Sequence, residues 1–212
     1  MGRTSVPPGI LVRIPGSPQH YFFVPVYHRR LPHIYDIGKP LFVTWRLAGS
    51  LPEHRHFTSS HLTGEKAFVA FDHLLDCART GPLYLAHPAI AEMLVEYLRR
   101  LARSEGVYEL QSFAIMPNQV HVLISPNVPL PQAMKLVKGG TARLANRMLS
   151  SSGQTFWQEE FFDHLVRNGE EFRRIRNYIE FNPVRAGLCS SPEEFQYSSA
   201  WRGGEVGSPG RD

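Results

Sequence analysis

Two short stretches bring together side chains whose types and spacing could do chemistry. In "MPNQVHVL" (116–123) a proline-asparagine turn leads into a strand-like run, where Gln119 and His121 stand two residues apart. Side chains alternate across a β-strand, so these two share one face while Val120 and Val122 take the other. One imidazole beside one amide reads either as part of a metal site or as the polar face of a strand. In "YIEFNPVRAGL" (178–188), Tyr178 and Asn182 are four residues apart, one turn along a helix and on the same side of it. A tyrosine that attacks a phosphodiester must hold its phenol, of ordinary pKa about 10, in line with the scissile bond while a cation polarises the phosphate. His121, Gln119 and Asn182 could supply such a cation site. Taken alone, a tyrosine such as Tyr178 is more often a helix residue packed against a sheet.

The elements that would position these residues follow from periodicity. "LFVTWRL" (41–47) alternates as a strand, with Val43 and Trp45 on one face and Phe42, Thr44 and Arg46 on the other. Apolar residues recur at three- and four-residue spacing over 62–79 and again over 88–104, which predicts two amphipathic helices. The runs 107–116 and 119–126 read as strands joined at Pro117-Asn118 into an antiparallel hairpin. Residues 130–149 predict a helix interrupted at Gly139-Gly140, where a bend or close packing is expected. "TFWQEEFFDHLVR" (155–167) is read as extended, and 170–182 as a helix that Pro183 ends. The order gives an α+β chain: a ferredoxin-like βαββαβ antiparallel sheet with helices on one face, an extra helix and an irregular N-terminal arm.

The division expected is a proline-rich, mostly irregular arm over 1–38, one domain over 39–201 and a flexible tail over 202–212. The 212 residues carry a formal charge of +4, yet only four of the 23 basic residues are lysines, which leaves 19 arginines. Arginine forks pair with phosphate and stack on bases, so nucleic acid is a plausible partner, though genome composition gives the same bias. Cys77 and Cys189 follow no C-x-x-C spacing, and no charged-then-apolar leader precedes the chain, so a reducing cytoplasm is expected. No apolar run approaches the ~18 residues of a membrane helix.

Several ordered motifs together resemble one family. "RRLPH", "FVTWRLAGSLP", "AIMPNQVHVLI", "KGGTARLAN", "FWQEEFFDHLVR", "YIEFNPVRAGL" and "PEEFQYSSAW" run from Arg29 to Trp201 in the pattern of the single-tyrosine HUH transposases, and within them of the REP-associated tyrosine transposases. The resemblance implies a metal-dependent nuclease and strand transferase. It would act on single-stranded or hairpin DNA through a covalent 5′-phosphotyrosine, in a nucleoid-associated cytoplasmic setting, as a homodimer or a monomer. Tyr178 then matches the nucleophile, His121 the second histidine of the HUH pair, and Asn182 the polar residue that completes the metal site. Gln119 stands where the first histidine would be. One divalent ion per site, Mg2+ or Mn2+, is implied, with weak affinity in the absence of DNA because no carboxylate is placed by motif. The expectation is activity that is weakened and favours manganese. The alternative is an inactive hairpin DNA-binding protein of the same fold. Lys138, Arg143, Arg173, Arg174, Arg176 and Arg185 are the expected DNA contacts. Trp45, Phe42 and Trp157 are candidates for stacking on bases, with core packing expected for at least two of them. Asp163 and His164 could approach the site but read as surface residues.

Overall fold

The computed structural model describes residues 9–13, 21–25, 37–50 and 81–203. The chain divides into two compact units, one made of residues 1–34 and 51–81, the other of residues 35–50 and 82–212. In the first unit, β1 (Gly9–Arg13) and β2 (Tyr21–Pro25) pair antiparallel, with Gly9 opposite Pro25 and Arg13 opposite Tyr21. This corrects the irregular arm for those ten residues. "GILVR" and "YFFVP" are branched and aromatic, and the nearby prolines bound the two strands rather than interrupt them. The helix expected over 62–79 lies outside the described residues.

The second unit is built on a four-stranded antiparallel sheet. Its strands are β3 (Leu41–Arg46), β4 (Tyr108–Ile115), β5 (Gln119–Pro126) and β6 (Phe162–Leu165), in the spatial order β4-β5-β3-β6. Three helices accompany them: α1 (Pro88–Arg103), α2 (Leu130–Met148) and α3 (Gly169–Arg185). Strand β5 lies between β3 and β4, which is the split βαβ arrangement expected from the element order.

Alternation decides which residues meet which helix. Leu41, Val43 and Trp45 of β3 and Val120, Val122 and Ile124 of β5 form one core with Ile90, Leu94, Leu98 and Leu101 of α1 and Ala133, Met134 and Val137 of α2. Pro88 starts α1, where a missing N–H costs nothing, and Arg100 and Arg103 lie in its last turn, where positive charge suits the helix dipole. Trp45 meets Trp157 edge to face at 6.0 Å, and Trp157 donates its indole N–H to Thr141 Oγ1 at 2.9 Å. Both tryptophans are core residues. The opposite face of the sheet carries Phe42, Thr44, Gln119 and His121 and is covered by the extra helix, α3.

Helix α2 runs straight through the two glycines. A Cβ on Gly140 would fall on the ring of Tyr97, so α1 and α2 meet there at close range. Helix α3 also runs further than expected, because Pro183 lies inside it. Proline removes one N–H near the end of a helix, and here the end is fixed downstream. Gly187 (φ +71°) donates to Val184 O at 3.0 Å and Leu188 to Pro183 O at 2.9 Å, the paired bonds of a glycine-terminated helix. The extended reading of 155–167 holds for Phe162–Leu165 and for the bridge from Leu47 to Trp157. Beyond α3, residues 197–199 border the outer edge of β4 through Ile115 N to Tyr197 O and Ser199 N to Phe113 O, each 2.9 Å.

Candidate active site

Register brings the site together. Thr44 pairs with His121 across β3 and β5, and the next pair on the same face is Arg46 with Gln119. Thr44 Oγ1 lies 2.8 Å from His121 Nδ1, and on the other side of the ring Asn182 Nδ2 lies 3.3 Å from His121 Nε2. Both ring nitrogens thus have a polar neighbour, with donor and acceptor roles that follow the tautomer of the ring. The Nε2 atom is turned towards Asn182 on α3. Gln119, His121 and Asn182 are all fully buried.

Tyr178 is half-buried, one helical turn before Asn182. Its ring meets the edges of Phe42 at 6.2 Å and His121 at 6.3 Å. Phe42 stacks on the imidazole at 6.2 Å and 14°, which holds that ring in plane. Arg185 lies over Tyr178, its guanidinium carbon 4.0 Å from the ring centroid, and its Nη2 donates to Tyr178 O at 3.0 Å. A cation on the ring face is held by the ring quadrupole and favours negative charge on the phenol oxygen.

The structure therefore groups Tyr178, His121 and Asn182, with Gln119 next along the same strand face. Thr44, Phe42 and Arg46 join them; Phe42 was suggested by the sequence only for stacking on bases, and Thr44 and Arg46 were not suggested as site residues. Alternation already set them apart from Val43 and Trp45, but only the strand register shows which of them faces His121. His164 sits opposite Phe42 across β6 and β3, and its Nε2 is 2.9 Å from Glu171 Oε1. Glu171 is buried at the start of α3, and its Oε2 also accepts from Arg167 N at 2.6 Å. Burial alone would raise the Glu171 pKa, but the bonds from Arg167 N and His164 outweigh it and hold the carboxyl below its ordinary value.

The expected DNA contacts are placed differently from one another. Arg143, Arg173 and Arg174 are exposed, and Arg176 is exposed but pairs with Glu180 at 3.0 Å. Arg185 lies on Tyr178. Lys138 points instead into the loop before β6, where Nζ donates to Gln158 O at 2.8 Å and Glu159 O at 2.6 Å. Burial there pushes its pKa down.

The donor set available to a metal is one imidazole nitrogen and two amide oxygens, all neutral. Among the described residues no group of three or more His, Cys, Asp and Glu side chains is placed to hold an ion. Imidazole and amide oxygen together suit a manganese-type ion better than magnesium, which takes carboxylates, phosphates and water. These ligands are neutral, so an ion would be held weakly, and because the Asn182 amide nitrogen is the atom 3.3 Å from His121 Nε2, that amide would have to turn its oxygen inward to join the ion.

Fold and site define a class. A family described as "Transposase IS200 like" matches residues 81–182, a span that includes His121, Tyr178 and Asn182. The REP-associated tyrosine transposase of Escherichia coli is 22% identical over 96 residues, 45% of this chain and 56% of that protein. A REP-associated tyrosine transposase, assigned as putative, from Haemophilus influenzae is 26% identical over 106 residues, 45% of this chain and 60% of that protein. The chain thus spans little more than half the length of the curated relatives it matches. A solved REP-associated tyrosine transposase bound to a REP hairpin has the same fold, with a TM-score of 0.52 at 15% identity, covering 81% of this chain and 82% of its own. The chain is thus similar to the IS200-like transposases over residues 81–182 and, over 45% of its length, to REP-associated tyrosine transposases.

Proposed function

We propose that this chain binds single-stranded or hairpin DNA and cleaves and rejoins it at Tyr178. The observation that carries the reading is the convergence of Tyr178, His121 and Asn182 beneath one helix, with a guanidinium on the tyrosine ring, in a chain similar to these transposases. The phenol oxygen attacks phosphorus and the bond to the 3′ oxygen breaks. A 5′-phosphotyrosine and a 3′-hydroxyl result, and the proton lost by the phenol balances the one gained by the leaving oxygen. Attack by a 3′-hydroxyl on the phosphotyrosine reverses the exchange and rejoins a strand. Arg185 and the edges of Phe42 and His121 hold the ring in one orientation, so the nucleophile is positioned before DNA arrives.

His121, Asn182 and Gln119 would hold one Mg2+ or Mn2+, which when bound would draw charge from the non-bridging phosphate oxygens. Because these ligands are neutral, DNA phosphates supply the charge and the ion is weakly held without DNA. Exposed Arg143, Arg173 and Arg174 suit contacts with the DNA backbone, which make affinity fall with salt. The hairpin carried by the solved relative makes a hairpin oligonucleotide the probe to use.

Incubation with a hairpin oligonucleotide and manganese should give a covalent protein–DNA adduct on a denaturing gel, and Tyr178→Phe should abolish it. A second reading, a hairpin-binding protein that no longer cleaves, is favoured by one observation: Gln119 occupies the place of the first histidine. It expects salt-sensitive binding and no adduct with any metal, with cleavage recovered in Gln119→His.

A further inference from the structure

Arg46 is a half-buried cation for which the site described so far has no use. It occupies the same sheet face as Thr44 and Phe42 and stands directly across from Gln119 in the β3–β5 register. Cross-strand neighbours of this kind have Cβ atoms about 5 Å apart. The backbone of Arg46 is held on both sides, since its carbonyl accepts from Gln158 N at 2.9 Å while β5 pairs along the other edge. Its Nη1 donates to Ser50 Oγ at 3.1 Å, and Ser50 is fully buried. Among the described residues no carboxylate pairs with Arg46.

This is an unusual balance of charge. A partly desolvated guanidinium costs stability unless an anion compensates it, and a serine hydroxyl is neutral. Burial draws its pKa down to about 10, which still leaves it charged at neutral pH. With one donor turned to Ser50, others remain to form the two-pronged contact that suits a phosphate. The arginine also stands beside the one position where a neutral amide, Gln119, takes the place of a stronger ligand.

We propose that Arg46 clamps one phosphodiester of the bound DNA strand at the Gln119 end of the site. It brings fixed positive charge to a donor set that has none of its own. The inference rests on the reading that this sheet face takes DNA. Binding of that phosphodiester then needs no divalent ion, because the protein carries the charge.

The test uses the full chain and hairpin oligonucleotides with single-stranded flanks, each with one phosphodiester replaced by an uncharged methylphosphonate. Affinities are read by fluorescence anisotropy in EDTA for the wild type and for Arg46→Gln. At one linkage, neutralisation should weaken the wild type about tenfold, a loss worth about 1.4 kcal/mol. Arg46→Gln should bind unmodified DNA about tenfold more weakly and show no further loss at that linkage. Arg46→Lys, which keeps the charge but not the fork, should retain part of the loss there, and it serves as the comparison if Arg46→Gln does not fold. Identical profiles in wild type and variants overturn the clamp while leaving DNA binding intact. A wild type that binds none of the oligonucleotides overturns the DNA reading itself, and the clamp with it.

Discussion

The two adjacent glycines of α2 should respond in opposite directions to the same substitution. A Cβ at Gly140 would lie 1.7 Å from Tyr97 Oη, 2.3 Å from Cζ and 3.0 Å from Cε2, whereas at Gly139 nothing lies within 4 Å. For alanine to fit at 140, the Tyr97 ring must retreat by roughly 2 Å to reach ordinary contact distance. It would then give up its 3.4 Å bond to Leu136 O and shift beneath the Arg100 guanidinium, which sits 4.5 Å from the ring centroid. Overpacking of this kind costs about 1–3 kcal/mol and the lost bond about 0.5–1 kcal/mol. Replacing a helical glycine returns about 1 kcal/mol of backbone preference. Gly140→Ala should therefore destabilise by about 0.5–3 kcal/mol, while Gly139→Ala should stabilise by about 0.5–1 kcal/mol. Thermal melts followed by circular dichroism would show the Gly139 variant melting about 2–4 °C higher and the Gly140 variant several degrees lower. If Gly140→Ala matched Gly139→Ala, the close α1–α2 contact would be refuted.

Lys138→Met should lower stability by about 1–3 kcal/mol, because the carbonyls of Gln158 and Glu159 lose their donor. The salt dependence of DNA affinity should not change, since a lysine that met a phosphate would instead reduce the slope by roughly 0.7–0.9; a reduced slope would show that Lys138 reaches DNA. The Glu171 carboxyl is held below its ordinary value of 4.5, so its ionised form contributes stability above that pH, and the contribution fades as pH falls through the lower folded-state value. Wild type should accordingly be more stable than Glu171→Gln at pH 6 and lose that advantage progressively in melts taken at falling pH below 4.5. Parallel curves would show that the His164–Glu171–Arg167 bonds are not held in solution.

Much of this arrangement was legible because it is local. Alternation in "LFVTWRL" put Trp45 towards the core and Thr44 on the far face, and the Pro117-Asn118 turn fixed the β4–β5 hairpin. The Thr44–His121 contact was not legible, since β3 and β5 are 77 residues apart at that pair and no local signal sets their register. Pro183 misled for a different reason. The rule that a proline pushes its predecessor out of the helix is a preference, and here the Asn182–His121 contact and the glycine-fixed helix end outweigh it. Lys138 was assigned by its charge alone, and charge does not tell a lysine that meets phosphate from one that straps a loop.

The continuation of α3 past Pro183 matters for the tyrosine. If the helix stopped at Asn182, Arg185 would lose the helical spacing that returns its side chain to Tyr178, where it both stacks on the ring and donates to the carbonyl. A guanidinium 4.0 Å above the ring steadies any tyrosine through cation–π attraction. A phenol that must become an ester oxygen gains further, because its developing charge meets a cation already in place. On the proposed reading Gln119 would weaken the metal side of the site, while Tyr178 and Arg185 already lie in contact. An adduct that forms slowly in wild type and faster in Gln119→His is the outcome this asymmetry implies.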